Sequence, residues 1–229
     1  MPKPKLYELT NKAGLSMSPF VWRTKFALKE KDVTYETVPV SFFDIPRIAE
    51  GVEPALKTVP IIEADGRFIG DSWTIAEQLD VEYPASAPLF SSPAELSMVK
   101  FFDKWFGTQV LPLMFRACVF DIYERVRPAE QDYFRISREA IFGQTLEQVA
   151  ADSGSDIERL RAGLLPLRLA LRHAPYLGGR SPNYADFIGW AAFVAFAPAA
   201  TKPFLAPDDP LRIWVSRGTD FAQLARSDK

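Results

Sequence analysis

The sequence predicts two domains of different class, an α/β domain followed by an all-helical domain. Strand-like and helical segments alternate over the first third of the 229-residue chain. Beyond residue 93 the strand signals largely disappear, and apolar residues recur at helical spacing instead. Between these regions, the segment PASAPLFSSP at 84–93 has the composition of an interdomain linker. We therefore expect one domain at residues 1–84 and a second at residues 94–229.

Short strands, the last two of which form a hairpin, define the predicted sheet of the first domain. The residues Ala-Asp-Gly at 64–66 separate two β-like runs, which indicates a hairpin. Strands and helices mixed in this order predict an α/β layer that ends in an antiparallel pair. The predicted strands cover residues 5–9, 34–40, 59–63 and 67–69.

Two strong start signals mark the helices of the first domain. Ser18 followed by Pro19 predicts a helix, because serine is a favoured N-cap and proline suits the first helical position. Asp71 and Ser72 cap another helix, which stops before Pro84. A short irregular or helical piece is expected between these two helices, at 44–50.

Helical patterns fill the second domain. A long helical run is expected from residue 94 to about residue 123, with Pro112 predicted to kink or interrupt it. Asn183 and Asp186 have the spacing of a capping box, in which each residue satisfies a backbone N–H group of the other's turn. Further helices are predicted at 131–142, 156–172, 184–195 and 210–225.

Composition and charge exclude several classes of function. Lys and Arg number 27 against 29 Asp and Glu, so the overall charge does not indicate a nucleic-acid partner. The single cysteine, Cys118, excludes an internal disulfide and a CxxC redox pair. The single histidine, His173, argues against a multi-histidine metal site or a histidine-based triad, and we expect no metal. No secretory signal precedes the first strand, and the most apolar segment, 187–200, is shorter than the ~20 residues that span a bilayer. A cytoplasmic protein without membrane insertion is therefore expected.

Four segments carry a family resemblance that extends over nearly the whole chain. In order, they are SPFVWRTKFALKEK, TVPII, DSWTIAEQLD and YLGGRSPNYADF. With this order and spacing, the sequence resembles the glutathione transferase superfamily. The resemblance implies a thioredoxin-like first domain that binds glutathione as co-substrate, and an all-α second domain that contributes the acceptor site. It also implies a homodimer.

The resemblance assigns the γ-glutamyl and cysteinyl parts of glutathione to two motifs. Asp71 can accept from the γ-glutamyl amine, while the Ser72 hydroxyl and the free N–H groups of the following helix can hold the carboxylate. The alternative is that both residues only cap the helix. Val59-Pro60 resembles the family's cis-proline turn, in which the Val59 backbone would pair with the cysteinyl backbone. The alternative here is a proline at the start of a strand.

The partner of the glycyl carboxylate stays open. The family often has a basic residue two positions before the proline, where this sequence has Thr58. Lys57 or Arg47 could supply the contact instead.

Ser18 and Ser16 are the candidate catalytic residues, because a hydroxyl at a helix start can stabilise a thiolate. The sequence does not decide which serine faces the sulfur, and Ser18 could serve only as an N-cap. The absence of a cysteine at this position argues against the glutaredoxin-like branch of the superfamily.

A narrower resemblance concerns the acceptor. The segments SPFVWRTKFALK, DSWTIAEQLD and YLGGRSPNYADF, together with the stretch 115–149, are similar to the β-etherase group of bacterial lignin-type enzymes and related fungal transferases. This implies a small aromatic substrate, a lignin-derived ketone whose β-aryl ether is cleaved by glutathione thiolate. The reaction also needs a donor for the leaving or keto oxygen, which the sequence does not identify. The alternatives are conjugation of glutathione to other electrophiles, and a non-catalytic carrier of phenolic ligands. An apolar pocket between the domains is expected, with Phe20, Trp105, Phe115, Arg116 and Tyr123 as candidate lining residues.

Overall fold

A four-stranded sheet and three helices form the first domain of the structure, a computed structural model that describes residues 3–52 and 58–226. The strand order is β2-β1-β3-β4; β1 is parallel to β2 and antiparallel to β3, and β3 is antiparallel to β4. This arrangement confirms the predicted fold class. The elements are β1 Lys5–Leu9, α1 Pro19–Glu30, β2 Glu36–Val40, α2 Ile45–Ala49, β3 Ile61–Ala64, β4 Arg67–Gly70 and α3 Ser72–Glu82.

The predicted hairpin is present at the end of the sheet. Asp65 and Gly66 connect β3 to β4 with φ angles of 50° and 74°. Glycine adopts positive φ without steric cost, and aspartate tolerates it better than most residues do. The turn therefore fixes the register in which Ile61 lies opposite Gly70.

The regular elements of the second domain, within the described residues, are all helices. The long run after the linker is interrupted by a π-helical stretch at Phe106–Val110, and Pro112 lies in the first turn of the next helix, where no N–H partner is required. The helices are α4 Pro93–Trp105, α5 Leu111–Tyr123, α6 Gln131–Phe142, α7 Leu146–Ala151, α8 Ser153–Gly163, α9 Leu165–Ala170, α10 Tyr184–Phe196 and α11 Leu211–Leu224.

Two helices differ from the prediction. The sequence analysis missed α7, which begins with a capping box between Thr145 and Gln148. The helix predicted at 156–172 begins earlier, at Ser153, and is divided into α8 and α9 at Leu164. Pro166 lies in the first turn of α9, so the division has the same physical cause as the interruption before α5.

Helix α1 joins the two domains. The ring of Phe26, which is fully buried, lies 5.7 Å from the rings of both Phe187 in α10 and Phe221 in α11. A buried ion pair, Arg23 Nη1 to Asp103 Oδ1 at 2.7 Å, connects α1 to α4. The apolar core is therefore continuous from the sheet into the helical domain.

No helix within residues 3–52 and 58–226 is both long and apolar enough to cross a membrane.

Candidate functional site

The strand register brings most of the candidate residues to one edge of the sheet. β1 and β2 end together, with Leu9 opposite Val40. β3 runs in the other direction and begins at this edge with Ile61, opposite Gly70 at the end of β4. We call this the site edge; the segments that leave or enter the sheet here are 10–18, 41–44, 58–60 and 71–72.

Ser18 can cap α1 and donate a hydrogen bond at the same time. Its backbone is extended, and its Oγ accepts from Val21 N at 3.3 Å as the N-cap of α1. A hydroxyl has one donor hydrogen in addition to its lone pairs. The two roles that the sequence analysis treated as competitors are therefore compatible.

Ser16 meets different surroundings in the same loop. Its Oγ is buried and has no hydrogen-bond partner within the described part of the chain. The residue forms an isolated antiparallel bridge with Thr10, next to a bond from Met17 N to Leu9 O of 3.1 Å. The loop is held in shape by the side-chain oxygen of Asn11, which accepts from two backbone N–H groups at 2.9 and 3.0 Å.

The Val59–Pro60 peptide bond is cis, as the family resemblance implies. Both residues are buried at the site edge, directly before β3. Of the three candidates for the glycyl carboxylate, Thr58 and Arg47 are exposed, and Lys57 lies outside the described residues.

Asp71 has an unusual backbone conformation for a residue with a side chain. Its φ and ψ are 66° and 125°, and such conformations cost of order 1–3 kcal/mol and cluster at functional sites. One carboxylate oxygen, Oδ2, accepts from Thr74 N at 3.0 Å and from Thr74 Oγ1 at 3.1 Å. A carboxylate offers about four lone-pair positions, so Asp71 can cap α3 and accept from a ligand as well.

A tyrosine of the second domain supports the start of α3. The Tyr184 hydroxyl donates to the backbone carbonyl oxygen of Ser72 at 2.7 Å, and both residues are buried. The Tyr184 ring packs edge-on against Trp73 and Phe90. Burial raises the pKa of Tyr184 above its usual range, so its hydroxyl stays protonated and donates. The sequence analysis missed this contact, because nothing local distinguishes Tyr184 from an ordinary core aromatic residue.

The corner between α5 and α6 covers part of the site edge. Lys12, in the loop after β1, donates its backbone N–H to Arg125 O at 3.0 Å and its Nζ to Glu124 O at 2.9 Å. Arg127 donates to the Thr10 hydroxyl. These contacts position the helical domain over the loop that carries both candidate serines.

The same corner contacts the loop after β2 through aromatic rings. Glu130 Oε1 accepts from Phe42 N at 2.7 Å. The ring of Tyr133 lies 5.3 Å from the ring of Phe42 and 5.7 Å from the ring of Phe43. Phe43 and Tyr133 are both exposed, so aromatic surface is accessible at this corner.

The five candidate acceptor residues are not in one cluster. Phe20 is exposed in the first turn of α1, and Tyr123 lies at the corner, under the guanidinium of Arg135 at 4.6 Å. The other three contact the helices of the second domain. Trp105 packs on Phe102 and Phe106, Phe115 packs on Phe142 and Phe196, and Arg116 forms an ion pair with Asp156 at 3.1 Å.

A crevice of about 500 Å³ lies on the Ser16 side of the loop, towards the ends of α10 and α11. Apolar side chains form much of its wall, with Met17, Trp22, Ile122 and Phe193 among them. It offers a second location for an apolar ligand next to one of the candidate serines.

The single cysteine of the chain is buried in the second domain, in α5. Cys118 is buried, its Sγ donates to Met114 O at 3.2 Å, and burial raises the pKa of its thiol. No group of three His, Cys, Asp or Glu side chains within residues 3–52 and 58–226 is arranged to hold a metal ion.

Two family models match the chain in the order of its two domains. The model described as the N-terminal domain of glutathione S-transferase matches residues 13–87, and the model described as the C-terminal domain matches residues 97–202.

Similar proteins of known name include plant and animal proteins. Glutathione S-transferase U2 of Arabidopsis thaliana is 30% identical over 177 residues, which are 76% of this chain and 65% of that protein. Glutathione S-transferase U1 of the same plant is 31% identical over 46% of this chain and 47% of its own length. Glutathione S-transferase omega-1 of Mus musculus is 22% identical over 89% of this chain and 73% of its own length. The matches thus span less than two thirds of the length of these two plant relatives.

Solved structures with the same fold include fungal proteins. Glutathione transferase GSTFuA3 from Phanerochaete chrysosporium has a TM-score of 0.87 and 22% identity, with full coverage of both chains. The glutathione S-transferase CsGST83044 of Ceriporiopsis subvermispora, solved in complex with glutathione, has a TM-score of 0.82 and 22% identity over 97% of this chain and 99% of its own.

Proposed function

The chain belongs to the glutathione S-transferase family, and from that premise we propose that it is a glutathione-dependent transferase with β-etherase-type selectivity for aromatic ketones. The family uses glutathione as co-substrate. One observation carries the proposal: Ser18 at the start of α1, the cis Val59–Pro60 bond, and Asp71–Ser72 at the start of α3 all lie at the site edge.

The chemistry of these three elements fits the γ-glutamyl end and the cysteinyl centre of the tripeptide. The Asp71 carboxylate accepts from the γ-glutamyl amine, while the Ser72 hydroxyl and the first N–H groups of α3 bind the neighbouring carboxylate. The backbone of Val59 pairs with the cysteinyl backbone. For the glycyl carboxylate, the candidates are Thr58, Lys57 and Arg47.

Ser18 is the proposed partner of the glutathione sulfur, with Ser16 as the alternative. Lowering a thiol pKa from ~8.5 to ~6.5 requires about 2.7 kcal/mol in favour of the thiolate. A hydrogen bond to a charged group contributes roughly 1.5–3 kcal/mol, and a helix N-terminus adds about 0.3–1 kcal/mol. Together the two effects suffice without an ionised base.

The proposed reaction is a substitution at carbon. The thiolate attacks the β carbon of the ether ketone, a carbon–sulfur bond forms as the carbon–oxygen bond breaks, and the phenolate that leaves takes a proton from water. The two aryl groups require apolar surface, for which Phe20, Trp105, Phe115, Arg116 and Tyr123 are the candidate lining residues. Phe20 and Tyr123 are the favoured lining residues of these five. Phe20 is two residues after Ser18, and Tyr123 lies at the corner that covers part of the site edge.

A cytoplasmic homodimer is part of the proposal. Met98 and Phe101, on one face of α4, are 65% and 67% exposed, which supports a surface that a second copy covers. Light scattering on the purified protein tests the stoichiometry.

A substrate panel read beside a glutathione titration tests the function. We expect a thermal shift with glutathione, and release of a fluorescent phenol from a β-aryl ether ketone. Aryl chlorides or isothiocyanates that react faster than the ether would indicate general conjugation. Tight phenol binding without turnover of any substrate would indicate a carrier. If glutathione neither shifts the unfolding temperature nor supports turnover, the proposal is wrong.

A further inference from the structure

We propose that Arg138 of α6 binds a carboxylate of the acceptor, so that aromatic acceptors that carry a carboxylate are preferred by this enzyme; the inference rests on the proposed function.

The charge of Arg138 has no counter-charge in the described part of the chain. It donates from Nη1 to Ser137 Oγ at 2.8 Å, packs on two aromatic rings and interacts electrostatically with Tyr133. Three other arginines of the same domain, in α5, α6 and α9, are paired with carboxylates, whereas Arg125, Arg161 and Arg217 bond to backbone carbonyl oxygens. Arg135 bonds to Glu139 and Glu147 at 2.9 and 2.8 Å, Arg116 to Asp156 at 3.1 Å, and Arg168 to Asp209 at 2.6 Å.

This unpaired guanidinium is also partly withdrawn from water. Burial lowers the pKa of Arg138, but an arginine side chain keeps its charge at any physiological pH. A partly buried charge without a partner is unfavourable, and an anion that binds beside it removes that cost.

The aromatic contacts of Arg138 connect it to the site edge. Its guanidinium carbon lies 5.5 Å from the ring centre of Phe42 and 4.8 Å from that of Phe134. Phe42 is the second residue after β2, which ends at Val40. Val40 in turn lies opposite Leu9, the last residue of β1. The loop that begins after Leu9 carries the candidate serines.

Aromatic surface and the unpaired cation therefore occur on the same corner. The exposed rings of Phe43 and Tyr133 lie next to Phe42 and can stack on an aryl group. The guanidinium offers a planar pair of donors that matches a carboxylate. An aromatic acid satisfies both parts, whereas a neutral aromatic compound satisfies only the rings.

A pair of acceptors that differ only in charge tests the inference. The probes are 4-chloro-3,5-dinitrobenzoate and its neutral amide, each assayed with glutathione. In Arg138→Met, we expect kcat/KM for the benzoate to fall by about tenfold or more, the loss of a charge-assisted hydrogen bond. Turnover of the amide and the KM for glutathione should stay unchanged.

Two further variants separate binding from folding and from net charge. Arg138→Lys keeps the charge and should restore part of the lost benzoate activity. Arg212→Met removes an exposed arginine of α11 and should leave the benzoate-to-amide ratio unchanged. An equal loss with both acceptors in Arg138→Met, or no loss, would overturn the inference.

A binding measurement distinguishes failure of the inference about Arg138 from failure of the proposed function. If neither acceptor is turned over by the unmodified protein, phenol release from the β-aryl ether ketone shows separately whether the proposed transferase activity is present. Quenching of tryptophan fluorescence by 4-chloro-3,5-dinitrobenzoate without glutathione then decides the inference. Weaker binding in Arg138→Met but not in Arg212→Met supports it, and equal binding in all three proteins overturns it.

Discussion

At the scale of single residues, substitution of each serine in the loop after β1 shows which of the two stabilises the glutathione thiolate. Ser18→Ala should raise the pKa of the bound glutathione thiol, because it removes a hydroxyl donor worth roughly 1.5–3 kcal/mol to the thiolate. The pH dependence of kcat/KM then moves to higher pH, and activity at neutral pH falls about 10–100-fold.

Ser16→Ala is the matched comparison in that experiment. If it raises the thiol pKa while Ser18→Ala does not, Ser16 is the partner of the sulfur. The thiolate would then be the hydrogen-bond partner that the buried Ser16 Oγ lacks among the described residues. If neither variant nor the double variant changes the profile, activation by serine is wrong. Thermal unfolding of Ser18→Ala measures the separate loss of the N-cap, about 1 kcal/mol.

Asp71 allows its two roles to be separated by an isosteric change. Asp71→Asn keeps an oxygen that accepts from Thr74 N, so the cap of α3 and the unfolding temperature should change little. The charge offered to the γ-glutamyl amine is lost, so the KM for glutathione should rise about tenfold or more, with little change in kcat. Initial-rate kinetics check this, and an unchanged KM would leave Asp71 as a helix cap only.

The sequence predicts residues whose role is local and misses those whose role depends on distant parts of the chain. Ser18 was identified as an N-cap from its neighbour Pro19, because capping involves only the next few residues. Tyr184 and Ser72 are 112 positions apart, and their hydrogen bond depends on how α10 packs on α3. Arg138 likewise gains its importance from Phe42, which belongs to the other domain.

At the scale of elements, α10 depends on a single carboxylate. Asp186 is fully buried and accepts from the backbone N–H groups of Leu177, Gly178 and Asn183 at 2.9, 3.0 and 3.1 Å. It also accepts from Trp214 Nε1 at 2.7 Å. One side chain thus holds the start of α10, the segment before it and a residue of α11 together.

Asp186→Ala should therefore cost more stability than the loss of an ordinary cap. Four donors lose their acceptor, and we expect the free energy of unfolding to fall by about 3 kcal/mol or more. Asn183→Ala removes the other half of the capping box and should cost about 1 kcal/mol. Urea unfolding measures both, and equal costs would contradict this account. The KM for glutathione should stay unchanged in both variants while they are folded.

Helix boundaries were predictable where the backbone of a single residue, such as proline, cannot continue the preceding helix. Pro112 and Pro166 each lie in the first turn of a helix, since proline supplies no N–H group to a preceding turn. The sequence analysis predicted the first interruption and missed the second, which falls in a continuous run of helix-forming residues. It also missed α7, a helix of six residues whose stability depends on the burial of Leu146 and Val149.

At the scale of the whole molecule, α1 belongs to both domains. It is part of the first domain, but its most extensive buried contacts are with helices of the second domain. The Phe26 ring lies 5.7 Å from Phe187, 6.3 Å from Trp190 and 5.7 Å from Phe221. The two domains were predictable from the change in periodicity along the chain and from the composition of the linker. The sequence could not predict that one aromatic cluster would join them, because these residues come together only through tertiary packing.

This shared cluster predicts that the two domains unfold together. Phe26→Ala should lower the free energy of unfolding by about 3–5 kcal/mol, because it leaves a cavity between α1, α10 and α11. Since the cavity lies at the interface, circular dichroism and tryptophan fluorescence should report one common midpoint, before and after the substitution. Val81→Ala, at a residue that is 75% exposed, is the control and should cost less than about 0.5 kcal/mol.

Two separate transitions, with only one of them moved by Phe26→Ala, would mean that the domains are independent. The site edge would then not depend on the helical domain for its shape. A single transition that moves as a whole would show that the two domains unfold as one cooperative unit.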